Sequence, residues 1–350
     1  MSHPGEAMRK NWVDYLRAVA AFSVVTIHVS GYYYREYGKI DQVGWWLANI
    51  LNASSRFAVP LYVMVSGCLL LGQEGSVDSF YKKRARRLIP AFVFWNGVYI
   101  CFLLYTKSMD ASGLVYFLKA GFFTSGYAAY FHLWYLPMFI CLMMFSPFVN
   151  MFVVGSKPTA RDMQILILVL FVFSCGWQLS VLTHTIKGIE MEWFTSFAWF
   201  IGYYIIGFYI DNNGDRVRLN NTTILLVIAC IISAGAVLNY AASDRLNIVQ
   251  DYFMLSNQGP LVFIFTTMLF LLFRRNSNSL KRSVLIGAIS ESSFGIYLIH
   301  PLYLYILSKS LPAYRDRGMI YMPLVVLLVM FASFVTIHTL RRVRLFRVLC

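Results

Sequence analysis

The amino-acid sequence predicts an all-α fold, a polytopic membrane helical bundle of about ten transmembrane helices with both termini in the cytoplasm. The composition is the first observation, since 59% of the 350 residues are hydrophobic and only 13% are charged, against about 25% charged in soluble domains. The second is a series of apolar runs long enough to cross a bilayer. The third is an alternation of basic charge between the two sets of connecting segments.

Each apolar run is about as long as a membrane-crossing helix, which needs about 20 residues. The first run has no small-residue cleavage site behind it, so it is expected to be a span and not a removable signal peptide. The longest connection, 107–129, is rich in Gly, Phe and Tyr and is expected to be an interfacial or re-entrant segment on the outer side. The predicted helices cover approximately 12–34, 46–72, 89–106, 130–153, 163–183, 194–212, 222–242, 257–273, 284–308 and 319–340.

Basic residues concentrate on one side of this arrangement. Nineteen of the 30 Lys and Arg residues lie in the termini and in alternate connections, nine lie in the other connections, and Arg17 and Arg56 lie inside spans. The positive-inside rule places the richer side, with both termini, in the cytoplasm. The net charge of +14 is therefore a topology signal, and no nucleic-acid partner is expected.

Residues 1–350 are expected to form one transmembrane domain, because no soluble segment, linker or low-complexity tract interrupts the apolar runs. No convincing internal repeat is visible, which argues against an inverted-repeat transporter. The six cysteines are scattered without disulfide, metal or redox spacing, so no metal site is expected. The sequence gives no oligomeric state.

The first span carries three ionisable residues in an otherwise apolar helix: Asp14, Arg17 and His28. At about 100° per residue, Arg17 and His28 differ by only about 20° around the helix axis, so all three lie on one stripe. Ionisable side chains inside a membrane are functional-site candidates. In the structural alternative, Asp14 and Arg17 form an interfacial pair and His28 is a hydrogen-bonded core histidine; the spacing alone does not separate the two.

The second span holds Arg56 near mid-membrane, four residues before Pro60. A proline in a helix frees a backbone carbonyl in the preceding turn, which offers Arg56 a local partner. Ser66 and Gly67 follow nearer the cytoplasmic end. A pair of small residues more often serves helix packing than a binding site.

The connection after the second span, FYKKRARRLIP, is strongly basic. Such charge commonly sets topology or binds lipid headgroups. Arg84 and Arg87 are three residues apart at the start of the next predicted helix. Two guanidiniums beside a helix N-terminus also suit a phosphate-rich ligand.

Five short segments, taken together, carry a family resemblance. They are Arg17 followed after ten residues by His28, PLYVMVSG at 60–67, RARRLIP at 84–90, HLWYL at 132–136 and SSFGIYLIHP at 292–301. In this order they resemble the acyltransferase-3 family of integral-membrane acyltransferases, and the resemblance covers essentially the whole chain. One departure is YLRAVA in the first segment, where Gly often follows the arginine.

The resemblance implies transfer of an acyl group, usually acetyl from acetyl-CoA, to a hydroxyl of a surface or lipid-linked glycan at the bacterial inner membrane. It implies that His28 is the catalytic base and Arg17 its paired basic residue. It also implies that Arg84 and Arg87 lie where CoA phosphates bind. The expected partners are therefore membrane lipid, acyl-CoA as the donor and a glycan or lipid-linked sugar as the acceptor, with no bound cofactor.

The chemistry of the residues agrees with this implication. A neutral imidazole is a natural base for a hydroxyl at neutral pH, and Asp14 is placed to hold Arg17. Oxyanion donors are expected from Ser66, Tyr297 or a nearby arginine. His300 either lines the cavity or is structural, and an aromatic-belt role is favoured for His132 and Trp134. The candidate substrate-binding residues are Arg56, Ser66, Arg84, Arg87, Trp134, Tyr297 and His300.

Two alternatives remain open from the sequence. A secondary transporter or glycan flippase would also have about ten spans and buried charges, but would need no CoA. A succinyltransferase or other acyltransferase of the same family would keep the catalytic groups and change the acyl pocket.

The charge pattern predicts that the connection around Glu74 is cytoplasmic. In a cysteine-free background, Glu74→Cys should resist a membrane-impermeant thiol reagent in intact cells and react after permeabilisation. Lys39→Cys, on the predicted outer side, should react in intact cells and serves as the control. Labelling of Glu74→Cys in intact cells would overturn the topology.

Overall fold

The computed structural model describes residues 10–110, 130–156, 159–168, 170–171, 197–246, 256–257, 259–310, 318–344 and 346–350. Secondary structure in this part of the chain is helical, with no strand. Two predicted segments fall mainly outside it: the outer connection at 107–129, and the helix at 163–183. The predicted all-α class agrees with the part of the chain that is described.

The helices follow the order of the predicted spans. They are α1 Asn11–Tyr34, α2 Gln42–Ala53, α3 Ala58–Leu70, α4 Val77–Tyr105, α5 Tyr135–Asn150, α6 Phe197–Asn213, α7 Asn221–Leu246, α8 Pro260–Arg275, α9 Val284–Ser310, α10 Gly318–Leu340 and α11 Phe346–Leu349. A 3₁₀ turn, Phe131–Trp134, precedes α5, a π-helical turn, Met151–Gly155, follows it, and a 3₁₀ turn, Gly214–Arg216, follows α6.

Seven helical segments among the described residues are long and apolar enough to cross a membrane, so the protein is a multi-pass membrane protein. They are Asn11–Tyr34, Gln42–Leu70, Val77–Tyr105, Phe131–Val153, Asn221–Asp244, Val284–Ser310 and Tyr321–Leu340. Two shorter helices, α6 with 17 residues and α8 with 16, coincide with two further predicted spans. The count of ten and the side on which the termini lie remain predictions.

The predicted helix at 46–72 is wrong in one respect, because a turn at residues 54–57 divides it into α2 and α3. The Ser54 hydroxyl donates to the Leu51 carbonyl at 3.1 Å and so competes with the helical backbone pattern. Pro60, in the first turn of α3, has no N–H to donate to the carbonyl of Arg56. Arg56 therefore lies in a turn and not within a continuous helix.

The predicted start of the third helix at residue 89 is also wrong, because α4 begins at Val77. The Ser76 hydroxyl caps it by accepting from the Ser79 N–H at 3.2 Å, and Asp78 lies in the first turn. Lys, Arg and Ala are good helix formers, so the basic run lies within the helix. Arg84 and Arg87 are therefore not beside a helix N-terminus.

The chain forms two compact units, of which the first contains Met1–Val65, Tyr209–Asn257 and Leu261–His338. In this unit α1 packs against α2 and α9, and α2 packs against α7. Its core consists of fully or almost fully buried apolar side chains: Ala21, Val25, Val29, Tyr33, Tyr34, Trp45, Ala48, Ile296, Met322, Val325, Val326 and Val329. This core fixes one face of α1 along much of its length.

Polar contacts hold both ends of α1. Lys10, immediately before the helix, pairs with Asp211 at 2.5 Å, and Asp211 also lies 3.4 Å from the Arg274 Nε. After the helix, the Tyr37 hydroxyl donates to Asp244 at 2.8 Å, and this hydrogen bond raises the pKa of Tyr37 to about 12. These contacts fix α1 in register with the helices around it.

The second compact unit contains Ser66–Phe208, Gln258–Pro260 and Thr339–Cys350. In it α4 packs against α5 and against the C-terminal helix α11, where the Trp95 indole donates to the Leu349 carbonyl at 2.9 Å. A methyl group at Gly67 would overlap the backbone carbonyl of Tyr204. The predicted packing role of the Ser66–Gly67 pair is therefore confirmed for Gly67.

Gly67→Ala is expected to lower the melting temperature in detergent. Overpacking lowers the free energy of unfolding by about 1–3 kcal/mol where neighbouring side chains are able to shift. At Gly67 the added methyl group meets the backbone of Tyr204, which moves less easily than a side chain. Gly97→Ala is the matched control, because a Cβ at Gly97 meets nothing within 4 Å; it should melt at or above the wild-type temperature. Equal melting of the two variants would show that α3 does not approach Tyr204 so closely.

Candidate active site

The three ionisable residues of α1 all contact α9. The Ser290 hydroxyl donates to the Asp14 carboxylate at 2.7 Å. Farther along both helices, Arg17 donates to the Ser293 hydroxyl at 3.4 Å. These contacts agree with the predicted stripe, and they show that the stripe faces a second helix of the same compact unit.

His28 continues this series, because its ring stacks on the ring of His300 in α9. The ring centroids are 5.0 Å apart and the planes differ by 26°. His300 is 0% exposed, and its Nδ1 lies 2.8 Å from the Tyr297 carbonyl oxygen. A carbonyl only accepts, so Nδ1 of His300 carries a proton and donates; in the neutral ring Nε2 is then the acceptor.

Arg56 is brought into this group through a residue that the sequence did not indicate. The Arg56 Nε donates to the Asn52 side-chain oxygen at 2.8 Å. The Asn52 amide nitrogen in turn contacts the carbonyl of Ile27, the residue before His28, at 3.3 Å. Arg56 and Arg35 both interact electrostatically with His28. One local partner of Arg56 is therefore an amide oxygen one turn earlier in the chain.

A second residue absent from the sequence-based candidates contacts the same stripe. The Tyr62 hydroxyl, in α3, donates to the Arg17 carbonyl at 3.4 Å. Tyr62 lies within the PLYVMVSG segment, so the segment itself is the signal that points to it. Tyr297 is buried, and its carbonyl holds His300.

The remaining candidates belong to the second compact unit. The Arg84 guanidinium lies 5.3 Å from the centre of the Phe80 ring. Its Nε is buried and has no hydrogen-bond partner among the described residues, and the guanidinium interacts electrostatically with Tyr204. Arg87, one turn later, is exposed. Arg84 is therefore a half-buried cation, whereas Arg87 lies at the surface.

The aromatic residues at the start of α5 are engaged in packing. Trp134 is half-buried, with its ring 6.1 Å from that of Phe200. His132 is buried, and its ring lies 4.9 Å from that of Tyr99 in an edge-on arrangement. Ser66, next to Gly67, is half-buried.

The first compact unit thus collects Asp14, Arg17, His28, Arg56, Tyr297 and His300 of the predicted set, and the second contains Ser66, Arg84, Arg87 and Trp134. The first group combines a histidine pair with a fixed arginine inside an apolar helix bundle. A neutral imidazole accepts a proton and a guanidinium stabilises an anion, which together meet the needs of nucleophilic attack on a carbonyl. No group of three or more metal-ligating side chains gathers within the described ranges.

Comparison with known families decides the class of this protein. The acyltransferase domain model Acyl_transf_3 matches residues 10–339. The chain belongs to the acyltransferase-3 family. Family membership makes the protein an acyltransferase and favours an enzyme over the transporter and flippase alternatives.

One relative supports the assignment at low identity. YfiQ of Bacillus subtilis (strain 168), whose name describes it as a membrane-bound acyltransferase, is 21% identical over 309 residues, which cover 85% of this chain and 82% of the relative. No solved structure matches the chain significantly. The five sequence segments of the resemblance all lie inside the matched range, so this acyltransferase-3 protein contains the family domain from its first span to its last.

Proposed function

We propose that this protein is an O-acetyltransferase that moves an acetyl group from acetyl-CoA to a hydroxyl of a cell-surface or lipid-linked glycan, with His28 as the general base. The observation that supports this most strongly is the placement of His28. It lies in an apolar helix, stacked on His300, in the same compact unit as Arg17 and Asp14. An imidazole takes up a proton from its neutral form, and stacking on His300 holds this ring in one orientation.

In the proposed reaction His28 takes the proton of the acceptor hydroxyl as its oxygen attacks the thioester carbonyl. The new carbon–oxygen bond forms, the carbon–sulfur bond breaks, and the CoA thiolate leaves and is protonated. Because a thiolate is a good leaving group, the reaction needs a base and an oxyanion donor more than a strong acid.

The other residues have supporting roles in this proposal. Arg17, held at Ser293, and Asp14, held at Ser290, form the polar end of the α1 stripe. Arg84 and Arg87 bind CoA phosphates, since guanidiniums bind phosphate through several N–H donors of fixed geometry. Tyr297 positions His300, and Ser66 and Trp134 contribute to the substrate-binding surface.

The proposal extends to sidedness and acceptor. With both termini cytoplasmic, Arg17 lies in the inner half of the first span and His28 in the outer half, so donor and acceptor arrive from opposite sides of a bacterial inner membrane. The stretch SRFAVPLYVMVSGCL after the first span resembles the enterobacterial common antigen O-acetyltransferase, which favours an acetyl donor and a glycan acceptor. Comparing glycan mass between a deletion strain and its parent tests the acceptor, with loss of one acetyl per repeat expected.

His28→Ala is expected to lower acetyl transfer from radiolabelled acetyl-CoA about 10²–10⁴-fold, the usual contribution of a positioned general base. CoA binding and the melting temperature in the same detergent preparation should stay close to wild type. His338→Ala, an exposed histidine of the same compact unit, is the matched control and should transfer normally. Near-normal transfer by His28→Ala would refute the role of His28.

Replacing Arg84 and Arg87 together by Gln should raise KM for acetyl-CoA about tenfold or more, since each phosphate contact is a charge-assisted hydrogen bond. Transfer from a short acetyl thioester without the nucleotide should change much less. The Lys83→Gln, Arg86→Gln double variant removes the same charge from exposed positions of the same helix and should keep the wild-type KM. Equal losses with both donors would remove the phosphate-binding role.

A further inference from the structure

The inference concerns Asn52, a buried residue of α2 that joins Arg56 to the turn of α1 beside His28. Its side chain is 0% exposed. The amide oxygen accepts from the Arg56 Nε at 2.8 Å, and the amide nitrogen donates to the Ile27 carbonyl and to the Ser30 hydroxyl, both at 3.3 Å. Neither α1 residue lies more than two positions from His28.

The orientation of this amide is unambiguous. The Ile27 carbonyl only accepts, so the atom facing it is the amide nitrogen, and the Arg56 Nε–H only donates, so the atom facing it is the oxygen. The Ser30 hydroxyl donates its proton to the Thr26 carbonyl at 2.6 Å, so its oxygen is the acceptor of the hydrogen bond from Asn52. The two amide hydrogens and the oxygen of Asn52 are thus all used, and the side chain is held in one position.

This bond also fixes Arg56. A guanidinium is planar, so holding its Nε sets the plane in which the two terminal nitrogens lie. Asn52 is anchored to the backbone immediately before His28, and Arg56 interacts electrostatically with His28. An arginine in a membrane span is costly, and its placement beside the candidate base marks it as functional.

We propose that Arg56 stabilises the oxyanion of the acyl-transfer intermediate, and that Asn52 is the positioning residue that holds Arg56 for this purpose. The inference rests on the proposed function. As the acceptor oxygen attacks, the carbonyl π-electrons move onto the thioester oxygen while His28 takes the hydroxyl proton. The terminal N–H groups of Arg56 bind this O⁻ until the carbon–sulfur bond breaks and the thiolate leaves.

The structure provides a matched control one turn earlier on the same helix. Asn49 is also 0% exposed, and its amide nitrogen donates to the Ala236 carbonyl at 2.8 Å while its oxygen accepts from Asn239 at 3.1 Å. It has the same chemistry and the same burial, but its partners lie on α7. Asn49→Ala and Asn52→Ala should therefore lose similar stability and differ in catalysis.

The test measures kcat and KM for acetyl-CoA per folded protein. Asn52→Ala should lower kcat about 10²-fold, near the effect of removing one oxyanion donor, with KM little changed. Asn49→Ala should keep the wild-type kcat. In an Arg56→Gln background, Asn52→Ala should cause no further loss of kcat, because its effect acts through Arg56.

Wild-type kcat in folded Asn52→Ala, or additive losses in the double variant, would overturn the inference. Should Asn52→Ala not fold, Arg56→Lys tests the same contact, because lysine keeps the charge and lacks the Nε–H that Asn52 accepts. A loss of kcat in Arg56→Lys with unchanged KM supports the inference. Wild-type kcat in this variant overturns it. If the wild type itself transfers no acetyl from acetyl-CoA, the proposed function fails instead.

Discussion

The stacking of His28 on His300 is the interaction on which the candidate site depends. It requires α1 and α9 to lie side by side, and the serines of α9 keep this approach close, since they contact Asp14 and Arg17 nearer the start of α1. Small residues at such an interface let helices approach, and their hydroxyls satisfy charges that an apolar bundle would otherwise exclude. The same packing thus stabilises the bundle and assembles the polar stripe.

Two polar side chains next to α1 are held by partners of fixed geometry. The Tyr297 carbonyl fixes the tautomer of His300, and Asn52 fixes Arg56 against the backbone beside His28. Pre-organised donors of this kind need no rearrangement as charge develops, which is how electrostatic catalysis is usually achieved. The break between α2 and α3 has a role here, because it places Arg56 in a turn one helical turn from Asn52.

The sequence predicted α1 almost to the residue, because a single apolar run lies between charged residues, and it predicted the stripe from helical periodicity. It missed the break at 54–57, since a serine hydroxyl and a proline without an N–H are local effects that hydropathy does not register. It placed the start of α4 too late, because a polar run of Lys and Arg was assigned to a loop. These residues have high helix propensity, and the helix extends through them. The His28–His300 contact and the role of Asn52 join residues through tertiary packing, which periodicity along one helix does not describe.

The most direct test of the central claim is affinity labelling with bromoacetyl-CoA, a donor analogue whose bromine-bearing methylene carbon alkylates a nearby nucleophile with loss of bromide. A variant with all six cysteines replaced, first shown to transfer acetyl, would be treated with this analogue and analysed by peptide mass spectrometry. The account predicts alkylation of His28 that acetyl-CoA prevents. Labelling at other residues with His28 unmodified, and with the same protection by acetyl-CoA, would contradict it.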